Sequence, residues 1–159
     1  MWLFIKNLLF TVLVPGTVGV YLPLSIAGGR SLAPVPVLTV AIFVLLVGGS
    51  IYAWCVWDFA SFGRGTPAPI DAPKKLVVRG LYHYTRNPMY VGVLTAILGW
   101  AIAFQARDVL VYALVVFGFF HLFVLFYEEP HLQQAFGDEY SSYRARVNRW
   151  LPRMGRQPS

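Results

Sequence analysis

The sequence predicts an all-α integral membrane bundle of four transmembrane helices, joined by a cytoplasmic loop and closed by C-terminal amphipathic helices. Three observations carry that prediction. The 159 residues are 57% hydrophobic and only 13% charged, against roughly 25% charged in soluble domains. Four apolar stretches approach the ~20 residues that a helix needs to cross about 30 Å of hydrocarbon. The basic residues lie between these stretches rather than inside them.

The first stretch, residues 2–26, carries Lys6 and is interrupted by Pro15, Gly16 and Pro23, so it should bend where proline removes a backbone donor. A secretory signal is the rival for it. A signal places its charge before the apolar region, whereas here Trp2 to Ile5 precede Lys6, and no small-residue cleavage site closes the run. The second stretch, residues 37–59, is entered through Pro34 and Pro36 and ends near Asp58. The cytoplasmic loop 60–87 follows, with Gly63, Gly65, Pro67, Pro69 and Pro73 opposing regular helix. The third stretch, residues 88–104, begins at Asn87-Pro88, a natural N-cap and first helical residue. Residues 105–108 separate it from the fourth, residues 109–127, so these two should form an antiparallel hairpin whose outer tip holds Arg107 and Asp108. Pairs of glycines, Gly48 and Gly49 or Gly92 and Gly99, should let helices approach closely.

The tail 128–159 is polar, aromatic and basic: Pro130 opens a helix, Gly137 stops it, and Asp138 caps a second one. Tyr140, Tyr143 and Val147 fall on one helical face, to lie against the loop at the membrane surface.

All Lys and Arg except Arg30 and Arg107 fall on the side of the loop and the termini. By the positive-inside rule both termini and the loop are cytoplasmic, and an even number of spans agrees. The net charge of +6 is therefore topology and not a nucleic-acid footprint. A mean hydropathy of +0.59 excludes a disordered chain. The single cysteine, Cys55, excludes a disulfide framework, and His83, His121 and His131 have no zinc spacing, so no metal is expected. His121, within the fourth span, reads as a neutral imidazole bonded to a neighbouring helix, Met89 as packing, and the tryptophans as an interfacial belt.

The topology brings three unusual cytoplasmic segments to one face. Residues 79–92 read RGLYHYTRNPMYVG and direct the positive end of the third helix to the boundary, where an anion is favoured; alternatively Asn87-Pro88 only starts the helix, and Arg79 and Arg86 only set orientation. Glu128 and Glu129 end the fourth span at the negative end of its dipole, an unfavourable place for acids. They need a cation there, from a ligand or from tail arginines, unless one simply caps the helix at Pro130. Gly63-Arg64-Gly65-Thr66 offers backbone that a ligand can approach closely.

Taken together, GRGTPAP, RGLYHYTRNPMYVG and EEPHLQQAFGDEYSSYRARV resemble the Gly-x-Gly, Arg-His-Pro-x-Tyr-x-Gly and Glu-Glu segments of the membrane methyltransferase superfamily of isoprenylcysteine carboxyl methyltransferases and phospholipid methyltransferases. The resemblance runs from about Phe62 to Pro152, with Asn87 standing where the family usually has histidine. It implies S-adenosylmethionine in a cytoplasmic pocket between the third and fourth spans, capped by loop and tail. Gly63, Gly65 and Gly80 would line it; Asn87 and Pro88, with Arg79 or Arg86, suit the cofactor carboxylate; Glu128 or Glu129 suits its ammonium or ribose; Tyr82, Tyr90 or Trp150 can pack on adenine or sulfonium.

The partner implied is a lipid or prenylated small molecule reached from the bilayer. A carboxylate acceptor needs orientation by a cation, for which Arg144, Arg146 and Arg149 are the candidates. An amine acceptor must lose a proton, with His83, His131, Glu128 or Glu129 as the base. Two alternatives stand beside this: a membrane NADPH-dependent reductase of the sterol or steroid type, and a non-enzymatic scaffold.

Overall fold

The computed structural model describes residues 11, 13–63 and 75–152, and their regular structure is entirely helical. Helix α1 (Leu22–Ala27) follows a π-turn, Thr17–Tyr21. Helix α2 (Val35–Asp58) runs into a second π-turn, Phe59–Gly63. After a 3-10 turn at Gly80–His83 come α3 (Pro88–Ala103) and α4 (Arg107–Phe123). A third π-turn, Val124–Glu128, leads into α5 (Glu129–Arg146). The continuous helical runs Val35–Phe62 and Arg107–Arg146 are long and apolar enough to cross a membrane; Thr17–Ala27 and Pro88–Ala103 are apolar and shorter.

Helix α3 is central, with α2 and α4 on its flanks and α1 packed across α3 and α4. Ile97, Val109, Ala113 and Val116 fill the shared core. The outward faces of α2, α4 and the π-turn after α4 expose Val40, Phe43, Leu46, Leu114, Phe119 and Phe126, as helices solvated by lipid do. Contact between α2 and α3 is made by small residues. A Cβ on Gly48 would lie 2.7 Å from the Ala96 nitrogen and the Gly92 carbonyl, and one on Gly99 would lie 2.7 Å from Leu45. Gly49, expected to share this role, faces open space.

The prolines do not break the helices; π-turns absorb them. Pro23 has no N–H for the Gly19 carbonyl, and the preceding turn re-pairs the Leu22 N–H to Thr17 O. The two freed carbonyls are satisfied from neighbouring helices: Trp100 Nε1 donates to Gly19 O at 3.1 Å and Tyr112 Oη to Val18 O at 2.9 Å. A Trp100→Phe change should therefore cost about 1–3 kcal/mol, the typical cost of leaving a buried acceptor unpaired, read as a lower unfolding midpoint in detergent.

The same device operates before Pro130, where the Glu129 N–H reaches back to Val124. This corrects the expected end of the fourth stretch. Glu128 and Glu129 do not sit at a terminal negative pole, because the chain stays helical through them. In the tail, Gly137 (φ 51°, ψ −121°) leaves helical geometry, so α5 consists of two helical segments that meet at a kink there, as the sequence implies. Tyr140, Tyr143 and Val147 pack together against Leu76 of the loop.

At one end of the bundle Arg30 pairs with Asp108 at 2.7 Å and the Ala33 N–H donates to Ala103 O, which ties the two short connections together. The long loop and the tail meet at the opposite end, where the chemistry-bearing residues gather.

Candidate active site

At the tail end, Glu129 opens α5 with its carboxylate turned into the protein, only 5% exposed. Arg149 grips it with both ends of its fork, Nε to Oε1 at 2.7 Å and Nη2 to Oε2 at 3.0 Å. Arg86 Nη1 lies 3.0 Å from the same Oε1 and also donates to Tyr140 Oη at 3.1 Å. Burial opposes ionisation of Glu129, but the Arg149 hydrogen bonds and the charges of Arg86, Arg149 and Arg144 outweigh it, and its pKa falls below the usual carboxylate range.

Backbone bonds complete this knot. The Arg86 N–H donates to Asn148 O at 2.9 Å, while Thr85 Oγ1 and Asn87 Nδ2 both donate to Arg149 O, at 2.9 and 3.0 Å. Residues 147–150 thus form a strap across residues 85–87. Asn87 occupies the N-cap position of α3, but its side chain holds the strap and does not cap the helix.

Glu128, one residue earlier and just past the apolar run, has different surroundings. It is half-buried and accepts one hydrogen bond, from Tyr90 Oη at 2.6 Å, a residue on the first turn of α3. Burial raises its pKa and the neighbouring Glu129 charge adds to that, against the Tyr90 hydrogen bond, which lowers it. Adjacent carboxylates are thereby driven apart in proton affinity, a separation that is common at functional sites. The Tyr90 ring packs on Phe120 with centroids 4.4 Å apart and lies 6.5 Å from Trp150. Trp150 Nε1 donates to His121 Nδ1 at 3.1 Å, so this histidine of α4 is bonded to the strap and not to a neighbouring helix.

The structure brings together Arg86, Asn87, Pro88, Tyr90, Glu128, Glu129 and Arg149. Tyr82 is buried with Cys55 and Val77, and its carbonyl accepts from Tyr143 Oη at 2.8 Å; burial pushes its phenol pKa well up. Met89 packs on the same cluster. Arg144 and Arg146 lie exposed on α5, Arg146 donating to Ser142 O. His83 and His131 are exposed, His131 stacked on Tyr127. Arg79 and Gly80 sit against the end of α2, Arg79 Nε being 3.1 Å from Asp58 Oδ1. Gly63 closes the π-turn after α2, and Gly65 lies outside the described residues.

Sequence reasoning missed Asp58, Thr85 and Tyr140. An aspartate at the end of an apolar run was the available signal for the first. The other two are ordinary polar residues whose roles come only from the strap.

Residues 36–139 match the model of the phospholipid methyltransferase family. Over 82 residues, 48% of this chain and 33% of the relative, the sequence is 35% identical to protein-S-isoprenylcysteine O-methyltransferase of Schizosaccharomyces pombe. Over 67 residues, 40% of this chain and all of the relative, it is 33% identical to an uncharacterized protein of Haemophilus influenzae. The match thus spans about a third of the length of the fission-yeast enzyme. Since the family's model covers well over half of the sequence, including α3, α4 and both glutamates of the site, the chain belongs to the phospholipid methyltransferase family.

Proposed function

We propose that the protein crosses the membrane four times, with both termini and its site cytoplasmic, and transfers a methyl group from S-adenosylmethionine to the polar head of a lipid-like acceptor. The observation that carries this reading is Glu128: a half-buried carboxylate held by one tyrosine, with no arginine on it among the described residues, beside a knot in which the neighbouring glutamate is engaged by two arginines. The donor set fits the cofactor. Arg86 Nε is a buried N–H without a partner among the described residues, suited to a carboxylate. Glu128 suits an ammonium, and the faces of Tyr90 and Trp150 suit a sulfonium. When bound, the cofactor supplies a methyl group already activated by a positive sulfur.

The chain's own residues then bind, align and keep water out. The strap 147–150 covers the start of α3, and its Trp150 closes the space between Tyr90 and Phe117. For an amine acceptor, with Glu128 engaged by the cofactor's ammonium, the exposed His83 and His131 are the candidate bases. For a carboxylate acceptor, Arg144 and Arg146 on the exposed face of α5 are the orienting cations. The family match favours methyl transfer over nicotinamide-dependent reduction and over a purely scaffolding role.

Titration calorimetry of the detergent-purified protein with S-adenosylmethionine tests the reading. The wild type should bind, and Glu128→Gln should weaken binding at least ~10-fold, since a hydrogen bond to a charged group is typically worth about 1.5–3 kcal/mol, with little change in the unfolding midpoint. Because recognition of the ammonium needs ionised Glu128, affinity should fall on acidification through its raised pKa, at a higher pH than an ordinary carboxylate requires. Glu128→Gln should flatten that dependence. Absence of heat from folded wild-type protein contradicts the proposal.

A further inference from the structure

Asp58 has no part in the site described above, yet its carboxylate is 1% exposed and neither oxygen accepts a hydrogen bond among the described residues. Its charge partner is Arg79, whose Nε lies 3.1 Å from Oδ1. A buried carboxylate so poorly paired is expensive and contributes little to stability. What it does accomplish is to fix one edge of the Arg79 guanidinium.

A second contact holds that side chain, and a glycine brings the backbone up to the carboxylate. The guanidinium carbon sits over the Phe62 ring, 5.7 Å from its centroid. Gly80, at φ +58°, lets the backbone pass close to the carboxylate; a Cβ there would run into Asp58 Oδ2 and Trp54 Nε1. Arg79 is thus held by Asp58 and the Phe62 ring, while its side chain remains 50% exposed and its terminal nitrogens have no partner among the described residues. The exposed rings of Trp54 and Trp57 on α2 mark this level as the membrane boundary, where lipid head groups lie.

We propose that Arg79, positioned by Asp58 and Phe62, forms a binding site for the phosphate of an anionic membrane phospholipid, apart from the Glu128–Tyr90 site. A fork whose Nε edge faces a carboxylate presents its two terminal N–H groups outward, the arrangement that meets two phosphate oxygens at once. Lysine carries the same charge but cannot hold Asp58 and a phosphate together in one plane.

The test is native mass spectrometry of the detergent-purified chain with dioleoylphosphatidylglycerol, with dioleoylglycerol as the phosphate-free arm and inorganic phosphate as competitor. The wild type should retain phosphatidylglycerol and not dioleoylglycerol, and millimolar inorganic phosphate should not displace it. Arg79→Gln should lower retention at least tenfold, and Arg79→Lys severalfold. Lys75→Gln, which removes an exposed charge from the same loop, should leave retention unchanged. Because Arg79→Gln strands a buried charge, the double variant Asp58→Asn/Arg79→Gln is measured beside it and should show the same loss while folded. Equal losses in Lys75→Gln and Arg79→Gln would leave only general charge attraction and overturn the proposal. So would retention unaffected in the double variant, or displacement by inorganic phosphate alone. No readout involves methyl transfer, so failure here is distinct from failure of the catalytic reading.

Discussion

Gly48→Ala should lower the unfolding midpoint of the detergent-purified protein, while Gly49→Ala, one residue away on the same helix, should leave it unchanged or raise it slightly. In an open helical position alanine is favoured over glycine by about 0.5–1 kcal/mol, and a Cβ on Gly49 meets nothing within 4 Å. On Gly48 the same methyl lies 2.7 Å from backbone atoms of α3, which cannot rotate aside as a side chain would. The two helices must separate, at the ~1–3 kcal/mol typical of overpacking, and Gly92, where an added Cβ would lie 3.0 Å from Gly48 O and Ile51, loses its close approach as well. Gly48→Val should act more strongly still. Equal behaviour of the two alanine variants would show that α2 and α3 do not meet through this face.

Glu129→Ala should have the largest effect among the polar residues. It leaves Arg86, whose side chain is 9% exposed, and Arg149 without their counter-charge. Breaking a buried pair from one side typically costs about 3–5 kcal/mol. The strap depends on it, so hydrogen exchange at residues 147–150 should accelerate and proteolysis should cut there first. Arg149→Lys keeps the charge, loses the two-pronged grip and should fall between variant and wild type. The pH dependence has a definite sign. The folded-state pKa of Glu129 is depressed, so its stabilisation is fully present above the ordinary carboxylate range and is lost as pH falls through the depressed value. A tail as protected in Glu129→Ala as in the wild type would contradict the knot.

Much of the architecture is legible in the order of residues because lipid solvent imposes a coarse rule: apolar runs of sufficient length, entered by proline. Pro36 and Pro88 lie in the first turns of α2 and α3, as the run of residues implies. Prolines within or after a run are harder. Pro23 reads as a break and Pro130 as a new start, yet each follows a π-turn that keeps the chain helical, and the carbonyls freed before Pro23 find donors on α3 and α4, remote in sequence. Nothing local announces such a rescue.

The site shows the same division. That Arg86, Tyr90 and the glutamates converge follows from topology. The split of the two glutamates, Glu129 committed to arginines and Glu128 held by a tyrosine, depends on which way a helix faces after a π-turn, and a paired-acid motif does not encode that. Arg79 and Arg86 likewise look equivalent as flanking cations, but one belongs to Asp58 and the other to Glu129.

Incubating the purified protein, reconstituted in lipid nanodiscs, with methyl-tritiated S-adenosylmethionine and a total lipid extract tests the central claim most directly. The account predicts label in the lipid fraction with wild-type protein and its loss with Glu128→Gln, while the variant remains folded. Lipid labelling undiminished by that substitution, or no labelling by wild-type protein that binds the cofactor, would contradict it.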